Sequence, residues 1–373
     1  MGKKKLAYFG VNYFPSKGGV SRTTENLIAH LKEEFDITIY CFKDSRAGTH
    51  MPGVNAVQFR VLPVKGLGVF FFFLECYFHM MIWGEYDIVH VRKIESSIFI
   101  PLLKLKYKNI LATSHESPYL RDKWGWIAKL YFKINERIFI KSSAKLTVIS
   151  APLSRYYKSR YNKDVLYVPN EIEPIKEFKE AEASMIIDHY RIKTPFVTFA
   201  ARRIMSTKGC HTMLKALQEL KYSNDIVIMG DTGHAPSYRK KLDLLSKGLR
   251  VHYTGYLEDK SIFLEIIRRS EFFIFPSETE GMSIALLEVA SLGIPIIASD
   301  IPENTDIFNE DELIFFKNGD HQDLARKIKL VTNNRVHYEK FAMQARNKVY
   351  DEYSSDRMIQ NYRQLYNSFA NQI

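Results

Sequence analysis

The feature that most constrains the fold is a repeated alternation of short apolar runs with helical patterns. Six runs in the first half, rich in Val, Ile and aromatic residues, predict buried strands. These runs are Leu6–Phe9, Ile37–Phe42, Val57–Leu62, Asp87–Val91, Ile110–Ser114 and Leu146–Ser150. Between the first two, Leu27, Ile28 and Leu31 have helical spacing within Thr23–Glu34. Repeated strand–helix–strand units predict a doubly wound parallel sheet.

The same alternation returns in the second half. The pattern breaks at Val168–Pro174 and in the charged stretch Lys176–Ala183, which we interpret as a linker. The strands predicted after it are Phe196–Ala200, Ile226–Gly230, Val251–Gly255, Phe272–Pro276, Pro295–Ser299 and Leu313–Phe316. We therefore expect an α/β protein with two Rossmann-like parallel-sheet domains, residues 1–170 and 171–352, that face an interdomain cleft. Residues 353–373 are expected to form a terminal helix that packs back on the first domain.

The composition excludes several classes of protein. With 46% hydrophobic and 25% charged residues, the chain is neither disordered nor fibrous. Its three cysteines are far apart and form no CxxC pair, so we expect a reducing compartment. Met1–Leu6 lacks the apolar region of a signal peptide. The most apolar stretch, Gly66–Trp83, is interrupted by Glu75 and His79 and is not expected to span a membrane.

Positive charge is concentrated in the first half. The net charge is +11, and residues 1–170 hold 26 Lys and Arg against 13 Asp and Glu, whereas residues 171–373 hold 27 against 29. This asymmetry predicts that the first domain meets an anionic surface, either membrane or nucleic acid. No nucleic-acid recognition module is visible there.

Aromatic residues near these basic residues favour the membrane. As a helix, Gly66–Trp83 is apolar over more than the ~100° stripe of a core-facing helix. Lys104, Lys106 and Lys108 come shortly after it, and a second, basic–aromatic patch consists of Arg121, Lys123, Trp124 and Trp126. Basic residues with aromatic anchors are typical of peripheral membrane contacts, so we expect a cytoplasmic protein on the inner face of the membrane. The alternative is that Phe70–Phe73 are ordinary core.

The most informative segment is Phe272–Asp300, which contains PSETEGMSIALLEVASLGIP. It predicts a buried strand, a loop that carries Glu280, and a helix over roughly Ser283–Leu292 that carries Glu288. Both carboxylates can face the carboxyl end of the sheet, although two Glu at this spacing alone are more often solvated charges. Backbone N–H groups at the helix start, near Met282–Ile284, suit an anion or sugar hydroxyls.

A second segment, AARRIMSTKGCHTMLK, combines two cations with a helix start. Arg202 and Lys208 flank a short loop after the predicted strand Phe196–Ala200, and a helix begins near His211. Two cations beside a helix N-terminus form a receptor for a diphosphate. They stabilise the negative charge that develops when a nucleoside diphosphate leaves. The alternative is that a loop Arg and Lys are simply solvent-exposed.

The frame PSETEG…LLEVASLGIP resembles, almost position for position, the signature of the retaining GT-B glycosyltransferases of family 4, of the type that builds bacterial surface polysaccharides. Members also carry a Gly-Arg…Lys-Gly motif, which here stands as Ala201-Arg202 and Lys208-Gly209. Met282 is a departure, since many members have Phe there. The resemblance is strong over residues 200–300 and weaker over residues 1–150.

The resemblance implies a role for each matching residue. The implied catalytic residues are His115, Arg202, Lys208 and Glu280. The implied donor-binding residues are Gly18, Gly19, Arg202, Lys208, Gly230, Tyr256, Leu257, Glu280, Gly281, Met282, Ser283 and Glu288. Glu288 would accept hydrogen bonds from the donor ribose, because the two oxygens of a carboxylate suit a vicinal diol. Glu280 would contact the transferred sugar, and His115 would hydrogen-bond near the sugar and acceptor.

The implied reaction transfers a sugar, with retention, from a UDP- or GDP-sugar in the second domain to a glycan or lipid-linked acceptor in the first. No Asp-x-Asp stands beside a strand end, so we expect no metal and no other cofactor. A nicotinamide cofactor is disfavoured because no Gly-x-Gly-x-x-Gly occurs. The alternatives are a GT-B nucleotide-sugar epimerase, a basic nucleic-acid-binding protein, and a binding protein that has lost catalysis.

Overall fold

The computed structural model describes residues 2–15, 19–43, 51–64, 67–116, 119, 125–173 and 177–369. The chain divides into two compact units, Met1–Glu171 with Ser355–Ile373, and Ile172–Ser354. The chain passes from one unit to the other after Glu171 and again after Ser354, within two residues of the boundaries expected after residues 170 and 352. Each unit contains its own parallel sheet, which confirms the predicted α/β class.

Strands and helices are numbered along the chain. The strands are β1 (Lys4–Phe9), β2 (Phe35–Phe42), β3 (Val54–Phe59), β4 (Ile88–Val91), β5 (Ile110–Ser114), β6 (Lys145–Val148), β7 (Leu166–Tyr167), β8 (Phe196–Arg203), β9 (Asp225–Asp231), β10 (Arg250–Gly255), β11 (Phe273–Phe275), β12 (Ile296–Ser299) and β13 (Ile314–Phe316). The helices are α1 (Gly19–Leu31), α2 (Gly68–Trp83), α3 (Ile100–Leu103), α4 (Trp126–Lys141), α5 (Ala151–Tyr161), α6 (Glu180–His189), α7 (Cys210–Glu219), α8 (Pro236–Leu245), α9 (Lys260–Arg268), α10 (Ile284–Ala290), α11 (Pro302–Thr305), α12 (His321–Asn333), α13 (Arg335–Glu352) and α14 (Ser355–Asn367). Short 3₁₀ helices cover Ile94–Phe99 and Ser206–Lys208.

The described strands of the first sheet are all parallel and lie in the order β3-β2-β1-β4-β5-β6-β7. All four residues of β4 are buried, as expected of a central strand covered on both faces. The edge strand β3 is only half-buried, and its true position is three residues earlier than the predicted Val57–Leu62. Pairing with β2 sets that position, because Ile37 lies opposite Val54 and Phe42 opposite Phe59. The sequence pattern also missed the two-residue strand β7.

The aromatic run of α2 belongs to the core of the first unit. Phe72 and Phe73 are buried, and the rings of Phe73 and Phe9 lie 5.7 Å apart. Phe70 is half-buried and packs on Phe99 with ring centroids 5.9 Å apart. The alternative left open by the sequence is therefore decided in favour of the core for most of Phe70–Phe73. Among the described helices, none is long and apolar enough to cross a membrane.

Helices α1 and α14 cover the opposite face of the first sheet. Helix α1 begins at Gly19, four residues before the predicted start, and buries Leu27, Ile28 and Leu31. Helix α14 buries Tyr362 and Tyr366 in the same apolar cluster. The last helix of the chain therefore packs on the unit in which the chain begins.

A chain of buried hydrogen bonds ties α14 to the centre of the first sheet. The hydroxyl of Tyr366 lies 3.1 Å from the hydroxyl of Tyr8 and 2.7 Å from Nδ1 of His90. Nε2 of His90 lies 2.7 Å from the hydroxyl of Thr113, which in turn lies 2.6 Å from that of Thr147. Because every member is buried, each bond also avoids the cost of an unsatisfied polar group.

The described strands of the second sheet are also parallel, in the order β10-β9-β8-β11-β12-β13. Strand β8 continues three residues beyond the predicted end at Ala200. Its register against β9 shifts between Ala200 and Arg203, so Arg202 belongs to the irregular end of the strand instead of following it. The charged pair Arg202-Arg203 hid this extension, because the apolar pattern stops before it.

We expect Tyr366→Phe to destabilise the first unit by about 1–3 kcal/mol, because it leaves the buried Nδ1 of His90 without its hydrogen-bond partner. Urea unfolding followed by near-UV circular dichroism measures the change. Tyr350→Phe is the matched control, since Tyr350 is 37% exposed and its loss of a hydroxyl should be neutral. Equal effects of the two substitutions would contradict the role given to Tyr366.

Candidate active site

The loops after β8 and β11 meet at the carboxyl edge of the second sheet. The N–H of Glu278 donates to the carbonyl oxygen of Thr207 at 2.9 Å and joins the two loops. Gly209 has φ +67°, and a Cβ at this position would overlap the carbonyl oxygen of Pro276. Glycine is therefore required here for both conformation and space.

This junction brings together two residues predicted from separate motifs. Nζ of Lys208 donates to Oε1 of Glu280 at 2.6 Å. The Glu280 side chain is 8% exposed and that of Lys208 31%, so the ion pair is largely shielded from water. Glu303 is a further carboxyl group in this region. Burial raises the pKa of Glu303, and the nearby charge of Glu280 raises it further.

The second predicted carboxylate, Glu288, lies on α10 and is 6% exposed. Its Oε1 is 2.8 Å from Nζ of Lys260, the first residue of α9. Helix α10 is shorter than the predicted Ser283–Leu292, because Ser283 has extended backbone angles and caps it. The Ser283 hydroxyl accepts the N–H of Leu286 at 3.3 Å. Gly281 is half-buried, and Met282 is buried beside the cap.

Arg202 lies beside Tyr256, with its guanidinium carbon 6.0 Å from the ring centroid. Both side chains are exposed and are within the range of a cation–π contact. Gly230 has φ +143°, and a Cβ there would overlap the carbonyl oxygen of Ala201, so β8 and β9 approach closely next to Arg202. Leu257 follows Tyr256 and is half-buried.

The remaining predicted residues belong to the first unit. Gly18 lies outside the described residues, and Gly19 is the first residue of α1. His115 follows β5 directly and is 7% exposed, and its Nε2 has no hydrogen-bond partner within the described chain. Burial, and next the charges of Arg92 and Lys93, hold the pKa of His115 well below its usual 6.5. His115 is therefore a neutral imidazole.

Two charged residues that lie close to the predicted site residues could not be identified from the sequence. Lys260 is 28 positions from Glu288 and on another helix, so only the packing of α9 against α10 reveals the pair. Arg92 follows β4 and is fully buried, and it donates to the hydroxyls of Thr23 and Tyr362 at 3.0 and 3.3 Å. Among the described residues, no group of three or more His, Cys, Asp or Glu is placed to hold a metal ion.

The two parallel-sheet units, together with the family models that match them, define a glycosyltransferase of the GT-B class. The family described as "Glycosyltransferase Family 4" matches residues 17–174, and "Glycosyl transferases group 1" matches residues 186–348. Together these matches cover most of the chain. The chain belongs to the group 1 glycosyltransferases, which confirms the glycosyltransferase family predicted from the sequence.

The chain is similar to two named glycosyltransferases and shares its fold with solved structures. The N,N'-diacetylbacillosaminyl-diphospho-undecaprenol alpha-1,3-N-acetylgalactosaminyltransferase of Campylobacter jejuni is 29% identical over 178 residues, which cover 47% of this chain and 45% of that enzyme. The 2-deoxystreptamine N-acetyl-D-glucosaminyltransferase of Niallia circulans is 24% identical over 350 residues, 84% of this chain and 87% of that enzyme. Anabaena HepE in complex with UDP and glucose has the same fold, with a TM-score of 0.78, 15% identity, and coverage of 98% of this chain and 100% of that one.

We expect the first unit to lose stability as the pH falls below about 6.5. Burial lowers the pKa of both His90 and His115 well below 6.5, so the unfolded chain binds protons that the folded unit does not. Each histidine then costs up to about 1.4 kcal/mol per pH unit, from about pH 6.5 down to its folded pKa. Urea unfolding between pH 7.5 and 5 should show a shallower dependence for His115→Asn. The exposed His30, changed to Asn, is the control, and a wild-type slope in His115→Asn would contradict the neutral imidazole.

Proposed function

We propose that this glycosyltransferase moves a sugar from a nucleotide-sugar donor to a glycan or lipid-linked acceptor with retention of anomeric configuration. The observation that carries the proposal is the 2.6 Å pairing of Lys208 with Glu280 at the ends of β8 and β11. A cation suited to a diphosphate thereby lies beside a carboxylate suited to sugar hydroxyls. One nucleotide-sugar molecule needs both groups side by side.

The proposed chemistry rests on fixed charge. Arg202 and Lys208 bind the donor diphosphate, and their charge matters most when the sugar–phosphate bond breaks and the leaving oxygen becomes negative. Lys208 precedes Gly209, which packs closely against the backbone of Pro276, and a fixed cation of this kind needs little reorganisation during the reaction. These two cations take the place of a divalent metal in the proposal.

The donor is a UDP- or GDP-sugar in this proposal. Glu288 accepts hydrogen bonds from the ribose, and Tyr256 and Leu257 lie beside the base. HepE has the same fold and was solved with UDP and glucose, which supports a nucleotide-sugar as the donor. The binding experiment described next compares the two bases. In the first unit, His115 is proposed to serve the acceptor, because a neutral imidazole can donate one hydrogen bond and accept another.

Because Lys208 is bonded to Glu280, a diphosphate competes with that carboxylate for the same ammonium group. We therefore expect Glu280→Gln to bind the correct nucleoside diphosphate about three- to tenfold more tightly, while transfer falls at least about tenfold. Lys208→Met should weaken both. Calorimetry with UDP and GDP measures binding, and release of nucleoside diphosphate from UDP-, GDP- and ADP-sugars, with chelator present, measures turnover.

The control for this experiment is Glu339→Gln, which neutralises an exposed Glu paired with Arg335 at 3.0 Å in the same unit. It should change neither quantity. Weaker nucleotide binding by Glu280→Gln, or unchanged binding by Lys208→Met, would remove the pair from the phosphate site. Formation of an isomeric donor without nucleotide release would favour an epimerase, and a need for metal would contradict the metal-free proposal.

We also propose that the first unit binds an anionic membrane surface on the cytoplasmic side. Support comes from the outer face of α4, where Trp126, Leu130 and Ile134 recur every four residues and are 76%, 50% and 44% exposed. Ile127 widens the stripe and is 66% exposed. A soluble helix seldom leaves such a stripe in water, whereas an interfacial helix inserts it between lipid headgroups.

Exposed cations accompany the stripe. Lys133, Arg137 and Lys141 recur along α4, and each near-surface cation contributes about 1 kcal/mol on an anionic membrane. Other basic residues named from the sequence support the proposal less. Lys106 donates to the carbonyl oxygens of Met80 and Met81 at 3.2 and 2.9 Å, and Arg121, Lys123 and Trp124 lie outside the described residues.

The proposed binding of the first unit to a membrane also favours one class of acceptor over another. The names of the two relatives point to different acceptors, a diphospho-undecaprenol and 2-deoxystreptamine. For this chain, the excess positive charge of residues 1–170 and the apolar stripe of α4 favour the lipid-linked class. A glycan intermediate held at the membrane is accordingly the acceptor that we propose.

Liposome sedimentation tests the membrane surface. Binding should require anionic lipid and fade as salt rises past ~0.15 M, where screening shortens to about 8 Å. Lys133→Glu/Arg137→Glu should weaken binding at least about tenfold. Lys329→Glu/Lys340→Glu, which reverses two exposed lysines of the second unit, is the matched control. Equal binding to neutral and anionic vesicles, or equal loss in both variants, would overturn the proposal.

A further inference from the structure

The ammonium group of Lys260 pairs with Glu288, the carboxylate that is proposed to bind the donor ribose. It begins α9 directly after Asp259, whose side chain caps the helix by accepting the N–H groups of Ser261 and Ile262. Its Nζ lies 2.8 Å from Oε1 of Glu288 and 3.5 Å from the carbonyl oxygen of Glu173. The Lys260 side chain is 25% exposed and that of Glu288 7% exposed.

The ion pair connects two anchored helices. Helix α9 buries Leu264, Ile266 and Ile267, and α10 buries Leu286 and Leu287. With both backbones fixed by packing, Lys260 restrains the orientation of the Glu288 carboxylate. A buried carboxylate is costly unless it is paired and hydrogen-bonded, so the ammonium also stabilises the charged form that accepts hydroxyl donors.

We propose that Lys260 is a positioning residue for nucleotide recognition, which holds the Glu288 carboxylate oriented toward the two ribose hydroxyls. This inference rests on the proposed function, in which Glu288 accepts the ribose. Lys260 acts through Glu288 and touches neither the sugar nor the phosphates in this proposal. Its removal should therefore reduce affinity most for nucleotides that carry both hydroxyls.

The test compares ribose with 2′-deoxyribose nucleotides by calorimetry, using UDP with dUDP and GDP with dGDP. In the wild type, the preferred ribonucleotide should bind about tenfold or more tightly than its deoxy form, since a hydrogen bond to a charged group is lost. Lys260→Met should weaken the ribonucleotide by a similar factor and the deoxynucleotide, which keeps only the 3′-hydroxyl, clearly less, so the ratio falls toward one. Lys260→Arg, which keeps a cation, should retain most of the ratio.

A neighbouring lysine provides the matched control. Lys179 pairs with Asp259 at 2.7 Å, but this pair is exposed, with 47% and 36% of the side chains accessible. Lys179→Met removes an ion pair one residue from Lys260 and should leave the ratio unchanged. The double variant Lys260→Met/Glu288→Gln removes both charges together, and it should lose no more than Glu288→Gln alone.

The outcomes separate this inference from the proposed function. If Glu288→Gln keeps the wild-type ratio, Glu288 does not bind the ribose and that part of the proposed function fails. If Glu288→Gln abolishes the ratio but Lys260→Met keeps it, only the role of Lys260 is overturned. Equal weakening of both nucleotides by Lys260→Met, with an unchanged melting temperature, would also overturn it. If Lys260→Met does not fold, Lys260→Arg and the double variant decide the question.

Discussion

Every chemical feature of this protein depends on the direction of its strands. In a parallel sheet all strands run the same way, so each loop that follows a strand emerges at the same edge. In the second unit this geometry joins the loop after β8 to the loop after β11, more than 70 residues further along the chain. In the first unit it places Arg92 after β4 and His115 after β5 on neighbouring strands.

At these strand ends and in the helices that follow them, the protein buries charge, and each buried charge needs compensation. Glu280 and Glu288 are each paired with a lysine on a different element, at 2.6 and 2.8 Å. Arg92 is compensated differently, by two hydroxyls and the face of Tyr362, with its guanidinium carbon 5.7 Å from the ring centroid. Within the described chain it has no carboxylate partner, and its charge adds to the effect of burial in lowering the pKa of the nearby His115.

The sequence pattern predicted the bounds of strands correctly where the strand is fully buried and wrongly where it is only partly buried. Central strands such as β5 are buried along their whole length, and the predicted bounds Ile110–Ser114 are the observed ones. The edge strand β3 is half-buried, so its composition carries little information and its position was missed. The same limit explains Arg202, because charged residues at an exposed strand end interrupt the apolar pattern without ending the strand.

By itself, the sequence determined the α/β class, the two-unit organisation, the family, and the identity of Lys208, Glu280 and Glu288 as candidate site residues. These features follow from local periodicity and from short motifs, which a linear chain displays directly. Only the tertiary structure decided that Phe72 and Phe73 are core, that α4 carries the exposed apolar stripe, and that Lys260 pairs with Glu288. Burial and ion pairing depend on which elements pack together, and that choice is made by long-range contacts that no local pattern records.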